Sequence, residues 1–184
     1  MKPKSSNVRQ EDHFVSVYER SEKNGHVPAL LFFEGESKAE KSELLFQLEK
    51  QLFNAGFQVG VINNDRVSQG LSENLGLSDQ EQRENLRRAG EMAFLMLEAG
   101  WLVLADFQSC CASLSDTLGI QKQVNLTSIQ ITIKNCSKIQ KNIEIKKKGI
   151  VSTVILKREE LHRSITIDKL VTFISQILKE GCHP

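Results

Sequence analysis

Residues Ala29-Leu30-Leu31-Phe32-Phe33 form an unbroken apolar run that stops at Glu34-Gly35. A strand with one wet face alternates apolar and polar side chains, so an unbroken run asks for apolar cover on both faces. Two further segments of this kind follow, Phe57 to Ile62 and Trp101 to Ala105. Between them the period changes to that of a helix, with Leu44, Leu45, Leu48, Leu52 and Phe53, then Leu86, Ala89, Ala93 and Leu97. Gly56 and Gly100 close these helices, since glycine tolerates the left-handed cap conformation. Ser78 and Glu81 have the spacing of a capping box. Ile129 to Ile133 alternates as a strand, Ile150 to Leu156 supplies a fifth, and a further helix is expected over 111–122. Thr166 is expected to cap a last helix carrying Ile167, Leu170, Val171, Ile174, Ile177 and Leu178. Strands alternating with helices specify an α/β fold with a mostly parallel five-stranded sheet. Ligands on such sheets bind at the carboxyl ends of the strands, which singles out the loops 34–43, 63–77 and 106–113.

With 184 residues the chain has room for one ordinary domain. Residues 1–28 are polar and end in Gly25-His26-Val27-Pro28, an N-terminal arm; residues 29–181 make the domain. Lys and Arg number 24 against 23 Asp and Glu, which excludes a strongly basic nucleic-acid binder as the default partner class. No apolar run approaches the ~20 residues of a membrane helix, and the first residues lack a signal-peptide core, so a cytoplasmic protein without a membrane partner is expected. Cys110 and Cys111 are adjacent and no C-x-x-C occurs, so free thiols are expected rather than a structural zinc site. His13 and His26 read as structural or exposed rather than catalytic.

Gly35-Glu36-Ser37-Lys38-Ala39-Glu40-Lys41-Ser42 lies between the first strand and the first helix, where G-x-x-x-x-G-K-[ST] would cradle phosphate. The first glycine, the lysine and the serine are present, and the second glycine is Glu40. Such a loop aims backbone N–H groups at phosphate oxygens, and glutamate adds bulk and negative charge where the anion should sit. Glu36 and Glu43 add two nearby carboxylates. Lys41 then has two readings, a phosphate contact or a partner for Glu40 or Glu36, and Ser42 can either serve the site or cap the helix.

Beyond this loop an ordered series of motifs runs along the chain. Gly25-His26 precedes the first strand. Asn63-Asn64-Asp65-Arg66-Val67-Ser68-Gln69-Gly70-Leu71 is similar to D-G-D-N-V-R-H-G-L, and Leu75-Gly76-Leu77-Ser78 to L-G-F-S. Arg83 to Glu91 follows the last nine positions of R-x-E-N-I-R-R-x-G-E, and Ala99-Gly100 through Phe107 follows A-G-x-x-V-L-T-A-F. In these motifs the chain resembles the adenylylsulfate kinase family, which transfers the γ-phosphoryl group of ATP to the ribose 3′-hydroxyl of adenylylsulfate.

The resemblance implies a three-layer α/β/α P-loop nucleotide-kinase-like fold, Mg²⁺ with ATP as cofactor, and dimers, either of this chain with itself or with an active relative. It places Gly35, Ser37, Lys41 and Ser42 at the nucleotide, Ser42 also at the metal, Asp65 and Lys41 as catalytic, and Arg83, Asn85, Arg88, Phe107 and Ser109 at the acceptor. Read as residues alone, Asp65 can equally be a turn residue, and Arg83, Arg87 and Arg88 a solvated face with Glu81 and Glu84. Departures accumulate against the family pattern: Asn63 for the first aspartate of D-G-D, Ser68 for the arginine, Leu77 for the phenylalanine, and Ala112 for the arginine of the F-I-S-P-Y-R that follows the third strand in the family. Where the family carries a basic lid, residues 135–149 hold Lys138, Lys141, Lys146, Lys147 and Lys148 and no arginine. Phosphoryl transfer depends on positioning and charge compensation. Losses at donor, acceptor and lid together therefore point to a catalytically degenerate member acting by binding or dimer assembly. The alternative is an active divergent kinase on adenylylsulfate or a related nucleotide, with the lysines replacing lid charge.

Overall fold

The computed structural model describes residues 14–34, 38–106, 127–134, 143–148, 151–157 and 164–181. Their order is α1 (Val17–Asn24), β1 (Ala29–Glu34), α2 (Lys38–Asn54), β2 (Val59–Asn63), α3 (Asn64–Gln69), α4 (Asp79–Glu98), β3 (Leu102–Asp106), β4 (Thr127–Lys134), β5 (Ile143–Lys148), β6 (Val151–Lys157) and α5 (Ser164–Glu180). The strands form one sheet in the order β2-β3-β1-β4-β6-β5. β2, β3, β1, β4 and β6 are parallel, as the strand–helix alternation requires.

β5 adds an antiparallel edge, with Ile143 opposite Leu156 and Lys148 opposite Val151. It lies inside the lysine-rich segment, where no strand was expected. The signal was the Ile143-x-Ile145 alternation, masked by lysines of the kind that blunt exposed sheet edges. Two other differences are local. Residues 64–69, taken as loop, form a helix because the Asn63 side chain accepts from the N–H groups of Asp65 and Arg66. The last helix starts at Ser164, so Thr166 is buried in its first turn rather than at its cap. The helix expected over 111–122 falls outside the described residues.

The apolar strands are covered on both faces. Leu31 and Phe33 of β1 and Leu102 and Leu104 of β3 pack with Leu44, Leu45, Leu48 and Leu52 of α2 and Ile174 and Leu178 of α5. Leu30, Phe32, Val103 and Ala105 face the other way, onto Leu86, Ala89, Ala93 and Leu97 of α4. Successive residues alternate faces, which is why β3 delivers Leu102, Leu104 and then Asp106 toward α2. The boundaries of α4 are those the sequence specifies: Ser78 and Glu81 complete the capping box, and Gly100 takes φ 85°.

His26 ties the start of β1 to the body. It is buried, its Nδ1 lies 3.1 Å from the Val27 carbonyl, and its Nε2 accepts the Gln58 N–H at 3.1 Å. A backbone N–H can only donate, so Nε2 is unprotonated and the ring is neutral, with Nδ1–H donating. Burial holds its pKa below 6.5. The unfolded chain therefore takes up this proton first as pH falls. The His26 contribution to stability is complete above the unfolded pKa of about 6.5 and declines below it. Thermal melts are expected to show a falling midpoint from about pH 7 to pH 5.5, with a shallower slope for His26→Gln. Equal slopes would remove His26 as the cause.

Candidate functional site

The carboxyl ends of β1, β2 and β3 meet the N-terminal turn of α2. Lys41 and Ser42 come from that turn and Asp106 from the last position of β3. The Lys41 Nζ lies 3.4 Å from Asp106 Oδ1, and the Ser42 hydroxyl donates to Asp106 Oδ2 at 3.4 Å. Both charged side chains are withdrawn from solvent, at 6% and 4% exposure. Buried charges of this kind persist only when paired. Of the two sequence readings for Lys41, an internal partner is therefore observed among the described residues, and it is Asp106. Glu40 sits in the first turn of α2, where a carboxylate complements the helix dipole. Gly35 and Ser37 lie outside the described residues, as do Phe107 and Ser109.

Asp106 is the residue that sequence reasoning missed. It opens the loop 106–113, and no motif of the sequence assigns it a role. The available signal was a carboxylate ending a fully buried strand, since all of Leu102–Asp106 is buried. In the register of the sheet its neighbour on β2 is Asn63. Asn63 is spent on capping α3, with Asp65 N–H at 3.1 Å and Arg66 N–H at 3.3 Å. Asp65, half-buried in the first turn of α3, stands beside this cap.

The acceptor-side candidates lie on α4. Asn85 donates to Asn64 Oδ1 at 2.9 Å and Ser68 Oγ at 3.4 Å, holding α3 against α4. Its own Oδ1 is buried without a partner among the described residues. Arg88 donates to Glu84 at 2.9 Å, to the Leu71 carbonyl at 2.8 Å and to Asn74 Oδ1 at 2.7 Å, which pins the 71–74 turn. Arg87 takes the other side of Glu84 at 2.7 Å. Hydrogen bonds from Arg87 and Arg88 hold the Glu84 carboxyl down at about 2. Arg83 is exposed. Lys41, Ser42, Asp106, Asn63 and Asp65 thus share one end of the sheet, with Asn85 joined to them through α3.

The profile of the adenylylsulphate kinase family matches residues 27–150, well over half of the chain. The chain belongs to this family. The adenylyl-sulfate kinase of Staphylococcus epidermidis is 42% identical over 105 residues, which are 57% of this chain and 53% of that protein. The chain therefore spans about half the length of the curated relatives it matches. The APS kinase of Mycobacterium tuberculosis solved with AMPPNP and APS has the same fold, with TM-score 0.60 at 20% identity over 82% of this chain and 97% of that one. A hexameric APS kinase from Thiobacillus denitrificans gives TM-score 0.60 at 21% identity, over 86% of this chain and 30% of that one.

Family membership implies Mg²⁺ with ATP. The Ser42 hydroxyl and the Asp106 carboxylate are hard oxygen donors lying side by side, and Mg²⁺ takes one or two carboxylates and completes its shell with water and phosphate. The donor set fits that ion. Among the described residues no cluster of three or more His, Cys, Asp or Glu could hold a metal, and no helix is long and apolar enough to cross a membrane.

Proposed function

We propose that this adenylylsulfate-kinase-like protein binds adenine nucleotide with Mg²⁺ but transfers the phosphoryl group poorly, and acts through binding and self-association. The observation that carries this is the buried Lys41–Asp106 pair with Ser42 beside it. The pair preserves the lysine and hydroxyl in one place but leaves the lysine charge already neutralised. A γ-phosphate must displace that partner before Lys41 can compensate its charge. Mg²⁺ would supply charge neutralisation at the phosphate oxygens, with Ser42 and Asp106 as its protein donors. Asp65 is positioned on α3 to orient or deprotonate an acceptor hydroxyl. Arg88 is occupied by Glu84, Leu71 and Asn74, and that weakens its service to an acceptor. Gly35, Ser37, Arg83, Asn85, Phe107 and Ser109 complete the proposed donor and acceptor sets. With residues 143–148 built into β5, the segment 135–149 has little left to cover the site, and this reduced lid is proposed to leave the site open to water.

Association with a second copy or an active relative is part of the same proposal, with exposed Phe53, Leu77, Leu95 and Ile165 as apolar side chains available to it. The activity reading is tested by calorimetry of ATP with and without Mg²⁺, beside coupled turnover with ATP and adenylylsulfate. Binding with Mg²⁺ and turnover at least about 10²-fold below the Staphylococcus epidermidis relative is the expected pair of results. Comparable turnover would establish the divergent-kinase reading instead.

Glu40→Gly is expected to raise ATP affinity by about fivefold, the equivalent of the roughly 1 kcal/mol that one charge contributes at a helix N-terminus. It should also lower stability by about 0.5–1 kcal/mol, because glycine lacks both the favourable charge and the helix propensity. Calorimetry and urea melts on the same sample read both. Unchanged affinity would mean that Glu40 does not compete with the anion.

A further inference from the structure

Two facts about the sheet stand together. Asn63 ends β2 and Asp106 ends β3, and the two are register neighbours on adjacent parallel strands. Both follow the alternation that faces α2: Val59 and Val61 of β2 pack with the α2-side cluster, as do Leu102 and Leu104 of β3. The motif that the first of these positions follows begins with aspartate, and the motif that the second follows has alanine before its final phenylalanine. This chain has the reverse arrangement, an amide on β2 and a carboxylate on β3.

The reversal has a physical basis. One buried lysine, Lys41, neutralises one carboxylate there. Carboxylates at both positions would set like charges on neighbouring strands beside the nearly buried Lys41–Asp106 pair, which raises the cost of ionising either. Position 63 can be uncharged without losing its cap, because asparagine and aspartate serve equally well there.

From this we infer that Asp106 is the site's cation-orienting carboxylate, one strand across the sheet from the position where the motif carries its first aspartate. It holds Lys41 until a divalent cation with polyphosphate takes the carboxylate and frees the lysine for the phosphate. The inference rests on the nucleotide-binding reading above only for the presence of a polyphosphate. It concerns which residue couples cation to anion. Without the cation, Asp106 both occupies Lys41 and repels the anion. With the cation, the same group attracts. Binding of anion and cation is therefore strongly and reciprocally coupled through one side chain.

Calorimetry of ATP and of inorganic tripolyphosphate, each with and without Mg²⁺, tests this on the wild-type chain, Asp106→Asn and the double variant Asn63→Asp/Asp106→Asn. Circular dichroism melts confirm that each is folded. The wild type is expected to bind both ligands about tenfold or more tightly with Mg²⁺, within the usual range of coupling between two sites. In Asp106→Asn the Mg²⁺ enhancement should vanish and Mg²⁺-free binding should strengthen. In the double variant, which returns the charge to β2, the enhancement should reappear. Enhancement kept in Asp106→Asn would overturn the proposal, and so would its failure to return in the double variant. Should Asp106→Asn not fold, the double variant has the wild-type charge count and decides alone. Mg²⁺-dependent binding of tripolyphosphate without binding of ATP would overturn the adenine-nucleotide reading and support the coupling. ATP binding indifferent to Mg²⁺ would overturn the coupling and leave that reading standing. Binding of neither ligand overturns both.

Discussion

Lys41→Met is expected to cost about 3–5 kcal/mol in urea unfolding, an effect far larger than loss of a surface lysine. Methionine keeps most of the volume of the lysine stem and removes only the charge. What remains is Asp106, at 4% exposure, with no other cation paired to it among the described residues. The Ser42 hydroxyl bonds it at 3.4 Å but carries no compensating charge. The cost is the penalty of leaving a buried carboxylate unpaired, not the net worth of the pair, so the companion variant matters. Lys41→Met combined with Asp106→Leu removes both charges and is expected to recover most of the loss. A single-variant loss within about 0.5 kcal/mol would show that Lys41 behaves as a solvated residue, and the buried pair would fall with it.

Leu31→Ala should cost about 2–5 kcal/mol by the same measurement. Leu31 is fully buried at the middle of β1, the strand between β3 and β4. Its side chain belongs to the cluster that joins β1 to α2 and α5, so its neighbours are anchored by two helices and two strands. Such a site collapses poorly around a missing isobutyl group, and the cavity term adds to the lost transfer energy. Phe53→Ala is the contrast, since Phe53 is apolar and helical but 64% exposed. It should change stability by less than about 1 kcal/mol. Equal losses for the two would show that the α2-side core is not where the contacts place it.

These variants divide what could be read from the chain. Leu31, Leu44, Leu48 and Leu52 were legible because burial on one face leaves a period in the sequence. Gly100 and the Ser78–Glu81 box were legible because a cap is a contact between near neighbours. Asn63 was harder. Its motif position marked it as a lost charge, and only the fold shows the amide working as the cap of α3. Arg88 was legible as a residue near Glu84, four positions back. Its bonds to Leu71 and Asn74 were not, because they cross the turn between α3 and α4. The β5 edge went unread because an edge strand needs little apolar patterning.

The sequence by itself determined the strand–helix alternation, the parallel sheet, the family, and the presence of Lys41 and Ser42 at the start of α2. All of these rest on local periodicity or on motifs whose residues are close along the chain. Only the tertiary structure decided what Lys41 is doing. Its partner lies 65 positions away, at the end of a strand whose place in the sheet is fixed by pairing with both β1 and β2. A charge at the end of β3 carries no periodic signature. It acquires meaning when the sheet sets that strand end beneath the first turn of α2, where the low dielectric of a buried site makes one carboxylate and one lysine depend on each other.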